Sequence, residues 1–182
     1  MSIGFLKKYT WFKTGGAAKD ILQVKTISEL QNFLSTNEDP YCVLGAGSNV
    51  MMDDRGFNGT IIRTTGFLKK IHLLKENFLE AEAGVSDAHL ANFAAKNNIS
   101  GLEFLCTIPG TVGGAIRMNA GCFGKEVKDF LVSARCLNEK GQIIELQNQA
   151  CGFVYRGSSI PKNWIIISGI FQGVGGHQEE IL

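Results

Sequence analysis

The sequence is short of charge imbalance, of histidine and of paired cysteine, and each shortage removes a class of function. The net charge is +1, which gives no electrostatic reason to expect nucleic acid or an anionic membrane as partner. The pairs Lys7-Lys8 and Lys69-Lys70 are short, isolated and read as solvated charge. The five cysteines, Cys42, Cys106, Cys122, Cys136 and Cys151, are odd in number, widely spaced and form no C-x-x-C pair. That pattern argues against a disulfide framework and a zinc site, and it fits a reducing cytoplasm. His72, His89 and His177 are scattered, so neither a metal cluster nor a histidine-based triad is suggested. No run approaches the roughly 18 apolar residues of a membrane span. The start, MSIGFLKKYTWF, has no long apolar stretch behind its lysines and makes a poor signal peptide.

Glycine is in excess. There are 22 in 182 residues, against an average of about 7 %. They cluster without repeating, which implies backbone that turns tightly or lies close to something. Hydrophobic residues make up 45 % and charged residues 19 %, the balance of a folded chain rather than a disordered one.

The pattern along the chain predicts an α+β protein of two subdomains, 1–66 and 67–173, followed by 174–182 as a truncated linker. ILQVK at 21–25 reads as a strand. Thr26 and Glu29 have capping-box spacing and predict a helix from Ile27 to Ser35 with Ile27, Leu30, Phe33 and Leu34 on one face. Strands are expected at 41–44 and 60–63. After Phe67, a hairpin turns at Glu76-Asn77, and Ser86 caps a helix over 87–98 with Leu90, Phe93, Ala94 and Asn97 on one side. A second hairpin turns at Asn138–Gly141, and a last apolar strand runs through 163–172.

Three motifs carry candidate chemistry. VLGAGSNV (43–50) begins like a dinucleotide fingerprint, but Val50 replaces the third glycine and no long helix follows, so a Rossmann site is disfavoured. What remains is either a nest of bare N–H groups suited to phosphate, flanked by Ser48 and Asn49, or a plain turn. Ile108-Pro109-Gly110, with Gly113-Gly114-Ala115 and Asn119 behind it, is a second bare segment. It reads as close approach to a ligand or as tight helix–sheet packing. Two such clusters in different subdomains favour a ligand shared between them. No G-x-x-x-x-G-K-[ST] is present, which disfavours a P-loop. In FVYRGSS (153–159), Tyr155-Arg156 offers a permanent cation for a carboxylate or enolate, or a surface arginine beside a partly buried tyrosine.

Taken together, TWFKTGG (10–16), LGAGSN (44–49), GLEFLCTIPGTVGGAIRMNAG (101–121), GKEVKD (124–129) and YRGS (155–158) resemble the UDP-N-acetylenolpyruvoylglucosamine reductase family, in its order and over nearly the whole chain. The resemblance implies a PCMH-type (vanillyl-alcohol-oxidase-like) fold with FAD between the subdomains. It places Gly45, Ala46, Gly47, Ser48, Asn49 and Val50 around the cofactor, together with Ile108, Pro109, Gly110, Gly113, Gly114, Ala115, Asn119, Ala120 and Gly121. It implies NADPH as hydride donor, a UDP-sugar enolpyruvyl ether as substrate, and reduction to UDP-N-acetylmuramate for peptidoglycan. Arg156 takes the family's catalytic arginine position, with Tyr155 beside it in the substrate wall. Cys106 and Cys122 stand where the family has small residues and are expected to be fillers. The family's serine proton donor and late glutamate belong to a C-terminal substrate domain, which the chain is expected to lack. A separate C-terminal polypeptide would then be a partner, and a flavin-binding module without turnover is the alternative.

Overall fold

The computed structural model describes residues 4–176. A first sheet forms within residues 4–63. β1 (Gly4–Phe5) pairs antiparallel with β2 (Ala17–Leu22). Thr26 then caps α1 (Ile27–Thr36), its hydroxyl accepting from the Glu29 N–H at 3.1 Å. The Glu29 carboxylate reaches one residue beyond the cap, to the Lys25 N–H at 2.8 Å. Leu30 and Leu34 bury against the core, each contributing about 1.5–3 kcal/mol, and Ile27 and Phe33 pack half-buried beside them. β3 (Tyr41–Leu44) and β4 (Phe57–Arg63) complete the sheet in the order β1-β2-β4-β3, with β4 parallel to both neighbours.

The strand expected at 21–25 is displaced to Ala17–Leu22. Ala17 pairs with Phe5 of β1 and Ala18 gains partners on both sides, whereas the chain beyond Leu22 must leave the sheet to bring Thr26 to the helix cap. The strand expected at 60–63 starts earlier, at Phe57.

The second sheet is antiparallel throughout. β5 (Ile71–Lys75) and β6 (Phe78–Glu82) form the expected hairpin, with Asn77 at φ +61° in the left-handed region that asparagine tolerates. α2 (Asp87–Lys96) starts where expected, the Ser86 hydroxyl accepting from the His89 N–H at 3.3 Å. Its buried stripe is Asp87, Leu90, Ala91, Ala94 and Ala95, so the face is rotated from the expected one: Phe93 is only half-buried and Asn97 is exposed. β7 (Ile99–Ser100), a 3-10 turn (Glu103–Thr107), α3 (Val112–Arg117), β8 (Gly121–Cys122) and β9 (Lys125–Glu126) follow. β10 (Leu131–Leu137) and β11 (Ile143–Gln147) form the second hairpin, its turn held by Asn138 Oδ1, which accepts from the Lys140 and Gln142 N–H groups at 2.9 Å. β12 (Ile165–Gln172) lies centrally in the order β11-β10-β12-β6-β5, which explains its nearly unbroken apolar run.

β13 (Val174–Gly175) pairs with β7, so the first part of the segment read as linker is anchored to the fold. The rest of that segment, 177–182, lies outside the described residues. The largest buried cluster joins both sheets: Leu30, Leu34 and Ile62 pack in one body with Leu79, Leu90, Ile116 and Phe171. Among the described residues no helix is long and apolar enough to cross a membrane.

Candidate functional site

Where the loop after β3 meets the segment entering α3, a cleft of about 470 Å³ opens. It is lined by residues 45–50, 108–111 and parts of 114–121, with Asp87 and Arg156 at its edges. The two glycine clusters are therefore neighbours in space. Ser48 joins them directly, its hydroxyl donating to the Pro109 carbonyl oxygen at 2.5 Å.

The loop after β3 is a run of open main-chain donors with no helix behind it. Among the described residues, the main-chain N–H groups of Ala46, Gly47, Ser48 and Asn49 find no protein acceptor. Successive bare N–H groups of this kind favour a phosphate. As the sequence suggests, no helix follows: the next element is β4.

The glycines divide by what a side chain would meet. Gly47 has φ +70°, and a Cβ there would stand 1.9 Å from the Tyr9 carbonyl oxygen. At Gly45 it would meet Thr111 Oγ1 at 2.4 Å, and at Gly113 the Ala83 Cβ at 2.9 Å. These three allow the protein to approach itself, the packing reading rather than the ligand one. Gly114 differs. The nearest atom to its added Cβ is Thr111 Oγ1 at 3.8 Å, so the side chain would enter the cleft. At Gly110 a Cβ would strike the Asp87 carboxylate at 2.5 Å.

Of the residues expected at the site, three stand off the cleft lining. Gly113 faces Ala83. Asn119 is 0 % exposed, and the protein uses its whole amide. Nδ2 donates to Glu126 Oε2 and to the Val154 carbonyl, both at 3.1 Å, while Oδ1 accepts from the Lys128 N–H at 3.0 Å. Asn119 thus ties α3 to the turn that carries Arg156, a framework role rather than direct contact. Tyr155 is 81 % exposed, its ring centroid 5.2 Å from the Arg156 guanidinium carbon.

Tyr155-Arg156 is the tip of a tight turn closed by reciprocal bonds between Val154 and Gly157, at 3.0 and 3.2 Å. Arg156 sits at φ +55°, an uncommon conformation for a non-glycine residue that aims it at the cleft. Its Nη1 lies 3.1 Å from where a Cβ of Gly121 would stand. Glu126 nearby is held below the usual carboxylate range, chiefly by the hydrogen bond from Lys128, then by Asn119 and by the Lys128 and Arg156 charges. The hydroxyls of Ser158 and Ser159 are engaged, donating to the carbonyls of Arg117 and Gly152. Arg117 is bound to the carbonyls of Ile160, Pro161 and Trp164 at 2.6–3.0 Å, fastening α3 to the chain before β12.

Asp87 belongs to none of the sequence motifs. It is 1 % exposed, lines the cleft, and neither carboxylate oxygen has a hydrogen-bond partner. Burial alone pushes its pKa up to about 7. Cys106 is exposed rather than a filler, Cys122 is half-buried, and all five cysteines are free. Among the described residues no cluster of three or more His, Cys, Asp or Glu is placed to hold a metal.

Residues 19–147 match the family described as "FAD binding domain". The chain belongs to the FAD-binding domain family. Its α+β architecture is of the PCMH type. The chain is 38 % identical over 179 residues to the UDP-N-acetylenolpyruvoylglucosamine reductase of Rickettsia canadensis. It is 42 % identical over 182 residues to that of Carboxydothermus hydrogenoformans. Each alignment covers 97 % of this chain and 60 % of the relative, so the chain spans about 60 % of the length of these curated relatives. The crystal structure of UDP-N-acetylenolpyruvylglucosamine reductase (MurB) from Thermus caldophilus is similar with a TM-score of 0.85 and 33 % identity, over 99 % of this chain and 64 % of that one.

Proposed function

We propose that the chain is the FAD-binding part of a cytoplasmic UDP-N-acetylenolpyruvoylglucosamine reductase, which makes UDP-N-acetylmuramate for peptidoglycan. Subdomains 1–66 and 67–173 would hold the cofactor between them. The observation that carries the reading is the run of four bare N–H groups at residues 46–49, facing the same cleft as Arg156 and the open side of Gly114.

The residues fit the group. Residues 46–49 offer donors to a diphosphate, and Gly114 leaves room where a Cβ would fill the cradle. Ser48 holds the two cofactor segments at a fixed separation. Bound FAD would supply hydride chemistry, carrying reducing equivalents from NADPH to the enolpyruvyl double bond. Arg156 would face the substrate carboxylate and stabilise the negative charge that grows there as the double bond is reduced. Its turn keeps that cation at the cleft mouth before substrate arrives, which lowers reorganisation during the reaction. Asn119 would act as a positioning residue for that turn through the Val154 carbonyl. Tyr155 would flank the substrate.

Reduction of the flavin-loaded chain by NADPH, followed by mixing with the enolpyruvyl substrate, tests the reading. Anaerobic reoxidation of the flavin by substrate is expected once the remainder of a relative is supplied, and little or none from the chain alone. A chain that binds FAD yet shows no substrate-dependent reoxidation with that remainder supplied would contradict it.

A further inference from the structure

We infer that Asp87 is the hydroxyl-binding residue of the cleft, its carboxylate accepting hydrogen bonds from a vicinal diol of the bound flavin nucleotide. The inference rests on the reading that the cleft holds FAD.

A carboxylate at the start of a helix ordinarily faces water or binds N–H groups of the first turn. Asp87 does neither. Ser86 serves as the cap, and both Asp87 oxygens are buried without a partner against the cleft that the residue lines. The backbone is arranged to keep it there. The Asp87 N–H is bonded to the Gly110 carbonyl at 3.3 Å, and the carboxylate packs directly over Gly110, where a Cβ would stand 2.5 Å from it. An unpaired buried carboxylate is costly to a folded chain, so its retention implies a partner that arrives with the ligand.

The partner's chemistry follows from the surroundings. The loop at residues 46–49 supplies donors, which suit phosphate; Asp87 supplies acceptors, which phosphate cannot use. A flavin nucleotide carries diols on its ribityl chain and its adenosine ribose. Two adjacent hydroxyls match the two oxygens of one carboxylate. Among the described residues no cation is paired with the Asp87 carboxylate. The loops 45–50 and 108–111 contain no titratable side chain. Arg117, from α3, is bound to three carbonyls, Arg156 stands at the cleft mouth beside Glu126, and His89, on the same helix as Asp87, is exposed. Burial alone raises the Asp87 pKa, to about 7. Accepting from both hydroxyls of a diol favours the ionised form, so binding near pH 6 releases a proton.

The test titrates the 182-residue chain and its Asp87→Leu and Asp87→Asn variants with FAD from pH 6 to 9, in buffers of differing ionisation enthalpy. Wild-type affinity is expected to rise up to tenfold per pH unit below about 7 and to level off above it, with proton release at pH 6. Asp87→Leu should bind FAD roughly 10- to 100-fold more weakly at pH 8, and Asp87→Asn less weakly than that. Both variants should lose the pH dependence. ADP and FMN as competitors assign the source: loss confined to FMN marks the ribityl chain, and loss confined to ADP the ribose. Unchanged FAD affinity in folded Asp87→Leu, or wild-type affinity that falls as pH rises because the protonated acid donates to phosphate, would overturn this inference alone. Absence of FAD binding by the folded wild-type chain would overturn the proposed function, and this inference with it.

Discussion

The Ser48 hydroxyl donates to the Pro109 carbonyl oxygen at 2.5 Å across 61 positions of sequence. This bond fixes the spacing between the N–H cradle after β3 and the segment that enters α3. Ser48→Ala should leave the fold intact and weaken FAD binding roughly fivefold, the value of one ordinary hydrogen bond. Flavin fluorescence titration beside a thermal melt checks this; an unchanged dissociation constant would mean the two segments keep their spacing without the bond.

Two glycine substitutions should fail in different ways. Gly114→Val places its side chain in the cleft, so the variant should fold and lose FAD. Gly47→Ala puts a Cβ 1.9 Å from the Tyr9 carbonyl oxygen at a positive φ, so it should lower the melting temperature first, at a cost of about 1–3 kcal/mol. Paired melts and titrations separate them. Full flavin occupancy in Gly114→Val would refute the placement of the cofactor against α3.

Arg156→Ala should retain FAD, because the guanidinium stands at the mouth of the cleft. With the remainder of a relative supplied, substrate-dependent reoxidation of the reduced flavin should slow by roughly 10²- to 10³-fold, the usual loss for one electrostatic donor. Stopped-flow absorbance gives both readings. A variant that purifies free of flavin would count against a catalytic role.

The ligand-free chain should lose stability as pH rises towards neutrality. The Asp87 pKa is raised from 3.8 to about 7 in the folded state, so the folded chain holds a proton that the unfolded chain has released. That contribution is complete below pH 3.8, declines by about 1.4 kcal/mol per unit as pH rises, and is gone once pH passes the folded value. Between pH 5 and 8, denaturant melts of wild type against Asp87→Leu isolate it, and the variant should be more stable at pH 8 and flatter with pH. Parallel pH profiles for the two proteins would contradict the burial of an unpaired carboxylate.

Local chemistry made much of this legible in the sequence. Thr26 and Glu29 mark the start of α1, Ser86 marks α2, and Asn77 and Asn138 mark the two hairpin turns, because caps and tight turns depend on residues a few positions apart. The strand at 17–22 lies upstream of its most apolar residues because its pairing is decided by β1 and β4. Asn119 and Asp87 were hidden for the same reason. Asn119 is claimed by Glu126, Lys128 and Val154, and Asp87 is covered by the segment at Gly110. Neither neighbourhood exists until the chain folds. The glycines signal that backbone approaches something closely, but only the folded chain separates Gly114, which faces open space, from Gly45, Gly47 and Gly113, which face the protein.

An FAD titration of the purified 182-residue chain, read by flavin fluorescence and by the change in its absorbance bands, decides whether the cleft holds the cofactor. Saturable binding of one FAD per chain, lost in Gly114→Val, is expected. A folded chain that binds no FAD would contradict that assignment.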